Sequence, residues 1–259
     1  MTDLQNAFCL RLGLSNTKHV VFEDLHEILL KMGTIIPYEN IDIVNKKIKE
    51  VSRVSIQDKL LIRKRGGMCY ELNLLLYYFL ADSGFDVYMG KGTLYDSEAR
   101  EWEPYDTHTF IILKYQNKKY IIDNGLAARN PLYPIPLNED IISSQTGNYR
   151  IGKQDTEKGD YILEMNKENK VKKKGSWEAI YAFSLDKINE QTIQHLVLEY
   201  QEIFSKKQMI FKLTDDGYIT LTQQNITRTK YGTKTKKAIN KEMFNQILVD
   251  VFGISQENR

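Results

Sequence analysis

The hydrophobic period of this chain changes near residue 84, and that change limits the folds open to it. Before it, apolar residues recur at helical spacing. Val21, Leu25, Ile28, Leu29 and Met32 form one stripe on a helix that Asn16 or Thr17 is placed to cap. Pro37 ends that pattern. Ser55-x-x-Asp58 has the form of a capping box and predicts a second helix. A third is predicted from Cys69 to Asp82, with Leu72, Leu75, Leu76, Phe79 and Leu80 as its stripe and Gly84 as its C-cap glycine. Beyond it, segments 85–95, 107–115, 118–123 and 176–185 are short and rich in β-branched and aromatic residues, as strands are. Asn130 to Pro136 holds three of the five prolines and is expected to be loop. The lysine-rich stretch 166–175 reads as a hairpin tip. The rest mixes a helix over Leu196 to Phe204, strands around an Asp-Gly turn, and a closing helix bearing Phe244, Ile247, Leu248 and Val251. Helices, then strands, then a mixed end predict an α+β fold rather than a doubly wound sheet. The expected units are residues 1–84, 85–185 and 186–259.

Composition narrows the function classes. The 259 residues are 42% apolar and 27% charged, which excludes disorder as a description of the chain. The longest mostly apolar run, Leu72 to Ala81, is far short of the roughly 20 residues of a membrane span. The N-terminal stretch lacks a basic region and a small-residue cleavage site, so no signal peptide is expected. Two cysteines make no disulfide framework, and a cytoplasmic location follows by default. No metal is expected, because the few Cys and His residues lack zinc-site spacing. A net charge of +2 leaves no footprint for nucleic acid. The lysines at 170, 172–174, 234, 236 and 237 read as solvated loops.

The segment Arg65-Gly66-Gly67-Met68-Cys69 carries the most chemistry. Two glycines permit a tight turn, and a helix begins at once. Cys69 therefore sits in a first turn, where unpaired N–H groups favour a thiolate. A buried, inert cysteine on the apolar stripe is the bland alternative, and Cys9 fits that description. A thiol nucleophile wants a base, and the base an orienter. His19, His26 and His195 stand in helical or surface contexts. His108 starts a strand and shares a face with Phe110 and Ile112. Asp123 ends the next strand, an odd separation of 15 from His108. With Gln116-Asn117 as a two-residue turn, Asp123 lies opposite Phe110 and diagonal to His108, so the side chains can touch.

These residues resemble the arylamine N-acetyltransferases. Arg65 to Asn73 is similar to that family's RGGxCxExN signature, and Pro37-Tyr38-Glu39-Asn40-Ile41 to its PFENL segment. The Thr107-His108-Thr109-Phe110 strand and Tyr120 to Gly125 match its histidine and aspartate segments in order and spacing. The resemblance implies a helical bundle, a β-barrel-like domain and a C-terminal α/β lid, with the core of a cysteine protease or transglutaminase. It implies a Cys69-His108-Asp123 triad. It implies acetyl transfer from acetyl-CoA, through an acetyl-cysteine, to the nitrogen of an arylamine, arylhydrazine or N-hydroxyarylamine. Cofactor contacts are expected at Thr107, Gly125, Leu126 and Ala127. Tyr38 and Arg65 are expected at the acceptor side, Arg65 with Glu39 as an ion pair rather than a catalytic group.

The usual Asp-Val-Gly-Phe-Gly turn is here Asp123-Asn124-Gly125-Leu126-Ala127, and a Ser-Thr-Ser-Pro-like segment is missing near Tyr200 to Ser205. Lysines at 230 to 237 are the candidates for replacing a lost contact. Three other readings share the triad or the fold: an amide synthase fed by a carrier-bound acyl group, a hydrolase, and a silent binder of aromatic ligands. The expected state is a monomer or weak homodimer, without membrane or nucleic-acid partners.

Overall fold

The computed structural model describes residues 1–15, 19–166 and 177–255. Its N-terminal part is helical. α1 (Asp3–Leu12) begins with a reciprocal capping box between Thr2 and Gln5. α2 (Leu25–Ile35) follows a short 3₁₀ turn and buries Leu25, Ile28, Leu29 and Met32. Val21 departs from the expected stripe. It precedes the helix, is exposed, and donates its N–H to the Asp24 carboxylate at 2.9 Å. Thr17 and Asn16, the expected caps, lie outside the described residues.

A two-residue strand, β1 (Tyr38–Glu39), and a short helix, α3 (Ile41–Val44), lead to α4 (Arg53–Gln57). Ser52, not Ser55, is the N-cap of α4, and Ser55 closes the box from inside the first turn. The chain continues through one π-helical turn, Asp58–Ile62. α5 (Cys69–Asp82) spans the residues its periodicity predicts. It is buried on nearly all sides, Leu74, Leu75 and Leu80 fully, between α1 and α4 on one flank and the large sheet on the other. Each such leucine contributes about 1.5–3 kcal/mol of burial. Gly84 takes the left-handed φ of +87° that ends the helix.

The large sheet contains β2 (Asp86–Asp96), β3 (Glu101–Trp102), β4 (His108–Tyr115), β5 (Lys118–Ile122), β6 (Ile135–Pro136), β7 (Ile142–Ser144), β8 (Gly147–Thr156), β9 (Gly159–Asn166) and β10 (Glu178–Phe183). Its order is β6-β5-β4-β2-β10-β9-β8-β7, with β3 beside β2. β6 also contacts β8, so the sheet nearly closes into a barrel. Phe110, Ile112, Tyr149, Leu163, Tyr181 and Phe183 fill its interior. The proline-rich segment is loop except at Ile135–Pro136, which pairs with Tyr120 and Ile121 at a sheet end, where proline is tolerated. β9 and β10 are antiparallel, and most of the lysine-rich stretch between them lies outside the described residues.

The C-terminal part packs α7 (Lys241–Asp250) on β11 (Ile210–Thr214), β12 (Gly217–Leu221) and β13 (Asn225–Lys230), with β14 (Thr233–Ala238) beyond them, while α6 (Glu190–Ser205) buries Ile193 and Val197 in the N-terminal helical core. β1 joins this second sheet beside β11, which ties the Pro37–Glu39 segment to it. Phe244 and Leu248 are buried under α7 as its pattern predicts. The architecture is α+β. No helix among the described residues is long and apolar enough to cross a membrane.

Candidate active site

The double glycine allows two chain segments to meet. Gly67 donates its N–H to the Pro37 carbonyl at 3.1 Å, and Glu39 donates to the Gly67 carbonyl at 2.9 Å. A Cβ on Gly66 would stand 2.1 Å from the Pro37 oxygen, so no side chain fits. This crossing fixes the entry to α5 and brings Tyr38 beside Cys69. Tyr38 is half-buried, and burial and the neighbouring Cys69 raise its hydroxyl pKa.

Cys69 is the first residue of α5, 5% exposed, with its Sγ 3.9 Å from the Thr107 carbonyl oxygen. Across from it runs the β4–β5 hairpin. Tyr115 pairs with Lys118, and Gln116 and Asn117 both have positive φ (48° and 60°), as a primed two-residue turn requires. Ile111 pairs with Ile122, so the next pair inward is Phe110 with Asp123. The parity argument therefore holds. His108 Nε2 lies 2.6 Å from Asp123 Oδ2, and both residues are buried. Burial opposes charge on this imidazole, but the Asp123 carboxylate, with a further contribution from Cys69, carries its pKa up to about 10. The Tyr181 ring lies 5.0 Å from the imidazole, its hydroxyl buried in the field of Asp123.

Asp123 is held by more than His108. Asn73 Nδ2 donates to its Oδ1 at 3.0 Å and to the Thr109 carbonyl at 2.7 Å, while Asn73 Oδ1 accepts the Asn124 N–H at 2.9 Å. The Gly125 N–H adds a bond to Asp123 Oδ1 at 2.8 Å. Gly125 is pressed against Cys69: a Cβ there would be 2.6 Å from Cys69 Cβ. Asn130 completes the turn, accepting the Leu126 N–H at 2.7 Å and donating to Asn124 Oδ1 at 2.8 Å. Sequence reasoning assigned no role to Asn73 or Asn130. The signal for Asn73 was its position as a lone amide inside the apolar run of α5. Asn130 gave none.

The expected cofactor residues divide. Thr107 and Gly125 flank Cys69, whereas Leu126 points into the barrel core. Ala127 adopts φ +53°, the left-handed conformation that a glycine takes without cost. The substituted turn thus keeps the backbone shape of a glycine. Arg65 requires a correction. It is fully buried, bonded to Glu39 at 2.7 Å and Asp42 at 3.0 Å, and presents no surface to a substrate. Burial disfavours its charge, but those carboxylates raise its pKa.

Lys59, from the π-helical turn, extends this network to Asp42 at 2.9 Å and Glu71 at 2.8 Å. Burial disfavours the Lys59 charge, but Glu71, Glu39 and Asp42 raise its pKa above the ordinary lysine value. Glu71 also accepts the Met68 N–H at 2.9 Å, capping the helix that carries Cys69. The other histidines stay apart from the site: His26 stacks on Tyr133 and bonds the Leu132 carbonyl, and His195 pairs with Glu199 on the surface. Cys9 is buried, which raises its thiol pKa.

Comparison with known proteins agrees with this geometry. The model of the N-acetyltransferase family matches residues 22–259. The probable arylamine N-acetyltransferase 2 of Dictyostelium discoideum is 31% identical over 98% of this chain and 95% of its own length. Among solved structures, arylamine N-acetyltransferase C from Bacillus anthracis is 46% identical with a TM-score of 0.93, covering 98% of this chain and 100% of that one. An arylamine N-acetyltransferase from Bacillus cereus, reported to have a Cys-His-Glu catalytic triad, is 39% identical with the same TM-score and coverage. The carboxylate on His108 here is an aspartate. Family match, close relatives and the Cys-His-carboxylate arrangement agree: the chain belongs to the arylamine N-acetyltransferase family.

Proposed function

We propose that the protein transfers an acetyl group from acetyl-CoA to an arylamine or arylhydrazine nitrogen by a ping-pong route, with Cys69, His108 and Asp123 as its triad. The observation that carries this is the buried His108–Asp123 pair, with an imidazole pKa of about 10, set against Cys69 at the start of α5. A charged imidazole at neutral pH favours an ion pair with a Cys69 thiolate. In the first half-reaction Cys69 Sγ attacks the thioester carbonyl. N–H groups in the first turn of α5 are placed to stabilise the oxyanion. The carbon–sulfur bond of the donor breaks, and His108 supplies the proton to the departing thiolate. In the second half-reaction the amine nitrogen attacks the acetyl-cysteine, His108 takes its proton, and Cys69 leaves as thiolate. Asp123 fixes the imidazole tautomer throughout.

Thr107 and Gly125 flank the sulfur, so the donor's pantetheine arm would pass between them. Beyond the turn lies a cavity of about 610 Å³, lined by Ala128, Thr146, Tyr218, Thr229 and Lys234 among others. The Thr229 hydroxyl is buried and lacks a hydrogen-bond partner among the described residues. Lys234 offers a cation, and Lys230 neutralises Asp216 on the same wall at 2.8 Å. These groups suit the phosphate-bearing end of CoA. Tyr38 would line the acceptor side. The glycine-like φ of Ala127 supports the acetyl-CoA reading over a carrier-bound acyl donor.

The test is acetyl-CoA-dependent acetylation of 4-methoxyaniline. Cys69→Ala and His108→Gln should each abolish turnover while remaining folded by circular dichroism. Turnover retained in folded Cys69→Ala refutes the reading.

A further inference from the structure

Lys59 is buried, yet no step of the acyl transfer described above uses it. It stands in the π-helical turn, where the Arg63 N–H reaches back five residues to the Asp58 carbonyl at 2.8 Å. Such turns are frequent at functional sites. Here the turn lets one residue hold both ends of the glycine segment. The Lys59 carbonyl accepts the Arg65 N–H at 2.9 Å, before the glycines. The Lys59 ammonium donates to Glu71 Oε1 at 2.8 Å and to Oε2 at 3.0 Å, after them. Glu71 Oε2 in turn accepts the Met68 N–H at 2.9 Å. Gly67 leaves room for this return: a Cβ there would stand 2.8 Å from Glu71 Cβ and 3.0 Å from its Oε2. The stretch from Arg65 to Glu71 is thus stapled at both ends, and Cys69 lies inside the staple.

The cap also sorts the free donors of the helix. The first N–H groups of any helix lack partners within it. The first bond of α5 runs from the Leu72 N–H to the Met68 carbonyl at 3.0 Å. Glu71 takes the Met68 N–H, whereas the Cys69 and Tyr70 N–H groups make no hydrogen bond among the described residues. The other charges of the network face the same carboxylates. Lys59 also reaches Asp42 at 2.9 Å and Glu39 at 3.8 Å, and Arg65 binds Glu39 and Asp42.

We propose that Lys59 is a positioning residue for the acylation of Cys69: through Glu71 it fixes the first turn of α5 so that the Cys69 and Tyr70 N–H groups meet the oxyanion. This rests on the acyl-transfer reading above. Oxyanion donors act only when they are aligned before the reaction starts, and small displacements are costly. Lys59 and Glu71 supply that alignment from behind the helix, without touching the acyl group. The competing role is a charged network that holds the fold and nothing more.

Two reagents separate these roles, because only one of them forms an oxyanion. With p-nitrophenyl acetate the Cys69 thiolate attacks the ester carbonyl, whose oxygen holds the negative charge until the C–O bond breaks and p-nitrophenolate leaves. With iodoacetamide the thiolate displaces iodide from carbon in one step. Second-order constants for both are read by intact mass at neutral pH, on variants shown to be folded by circular dichroism. Lys59→Met should slow acylation about tenfold or more, as misaligned oxyanion donors do, and leave alkylation within about twofold. Lys59→Arg should recover part of the acylation rate. Glu71→Ala deletes the cap while leaving Lys59 paired with Asp42, and carries the same expectation should Lys59→Met not fold. Equal slowing with both reagents would mean a disturbed thiolate and overturn the proposal. Unchanged acylation in the folded variants would reduce Lys59 to a structural residue and also overturn it. If Cys69 of the unmodified protein is alkylated but neither p-nitrophenyl acetate nor acetyl-CoA acylates it, the acyl-transfer reading fails and the proposal with it, an outcome distinct from the other two.

Discussion

Asp123→Asn keeps the size of the side chain and removes its charge, and its consequence for stability can be worked out from the pair. His108 titrates at about 10 rather than at the ordinary 6.5, against the opposing effect of burial. At about 1.4 kcal/mol per pH unit, this rise is worth on the order of 5 kcal/mol, part of it supplied by Cys69. The sign follows from linkage. A raised histidine pKa means that the folded state holds the proton more tightly. Its contribution is fully present below pH 6.5 and is lost as pH rises through about 10. Urea unfolding of the parent protein and of Asp123→Asn at pH 6 and pH 10.5 measures it. The parent should exceed the variant by several kcal/mol at pH 6, and most of that excess should vanish at pH 10.5. An excess of the same size at both pH values would mean that His108 does not carry the linkage. The variant should also lose the rapid alkylation of Cys69 by iodoacetamide at neutral pH.

Other perturbations test the supports of the site. Asn73→Leu removes bonds to Asp123, Thr109 and Asn124 in a fully buried place. It should cost about 3–5 kcal/mol in urea unfolding at about 1 kcal/mol or more per bond, and a cost below 1 kcal/mol would remove Asn73 from the account. Ala127→Gly relieves a left-handed alanine and should stabilise the fold by about 1 kcal/mol, read as a higher urea midpoint. Lys59→Met leaves Glu39, Asp42 and Glu71 with Arg65 as their remaining close cation, and should destabilise by about 3–5 kcal/mol in the same assay.

The parts of the fold legible in the sequence were those governed by local chemistry. α5 was predicted from its stripe and its glycines. The pairing of His108 with Asp123 followed from strand parity and the Gln116-Asn117 turn, because a side-chain period of two leaves no choice of face once the loop length is set. The capping signal at Ser55 was real but one turn misplaced, since Ser52 and Ser55 form the box together. The β8–β9 hairpin was not read. Its inward residues Tyr149, Ile151, Leu163 and Met165 alternate with polar and charged ones, so its mean hydropathy is that of a loop although its period is that of a strand. Lys59 and Asn130 stayed silent for a different reason. Each has its meaning in partners brought by other elements, and no local pattern reports them. Arg65 misled because a motif arginine beside a nucleophile resembles a substrate contact until its burial is known.

Whether Cys69 becomes an acetyl-cysteine is decided by intact-protein mass after mixing with acetyl-CoA and no amine. A gain of about 42 Da is expected, one acetyl group held by Cys69. The gain should be absent in Cys69→Ala and discharged by an aromatic amine. An unchanged mass, with Cys69 still alkylated by iodoacetamide, would contradict acetyl-CoA as the donor. A 42 Da gain that persists in Cys69→Ala would contradict Cys69 as the nucleophile.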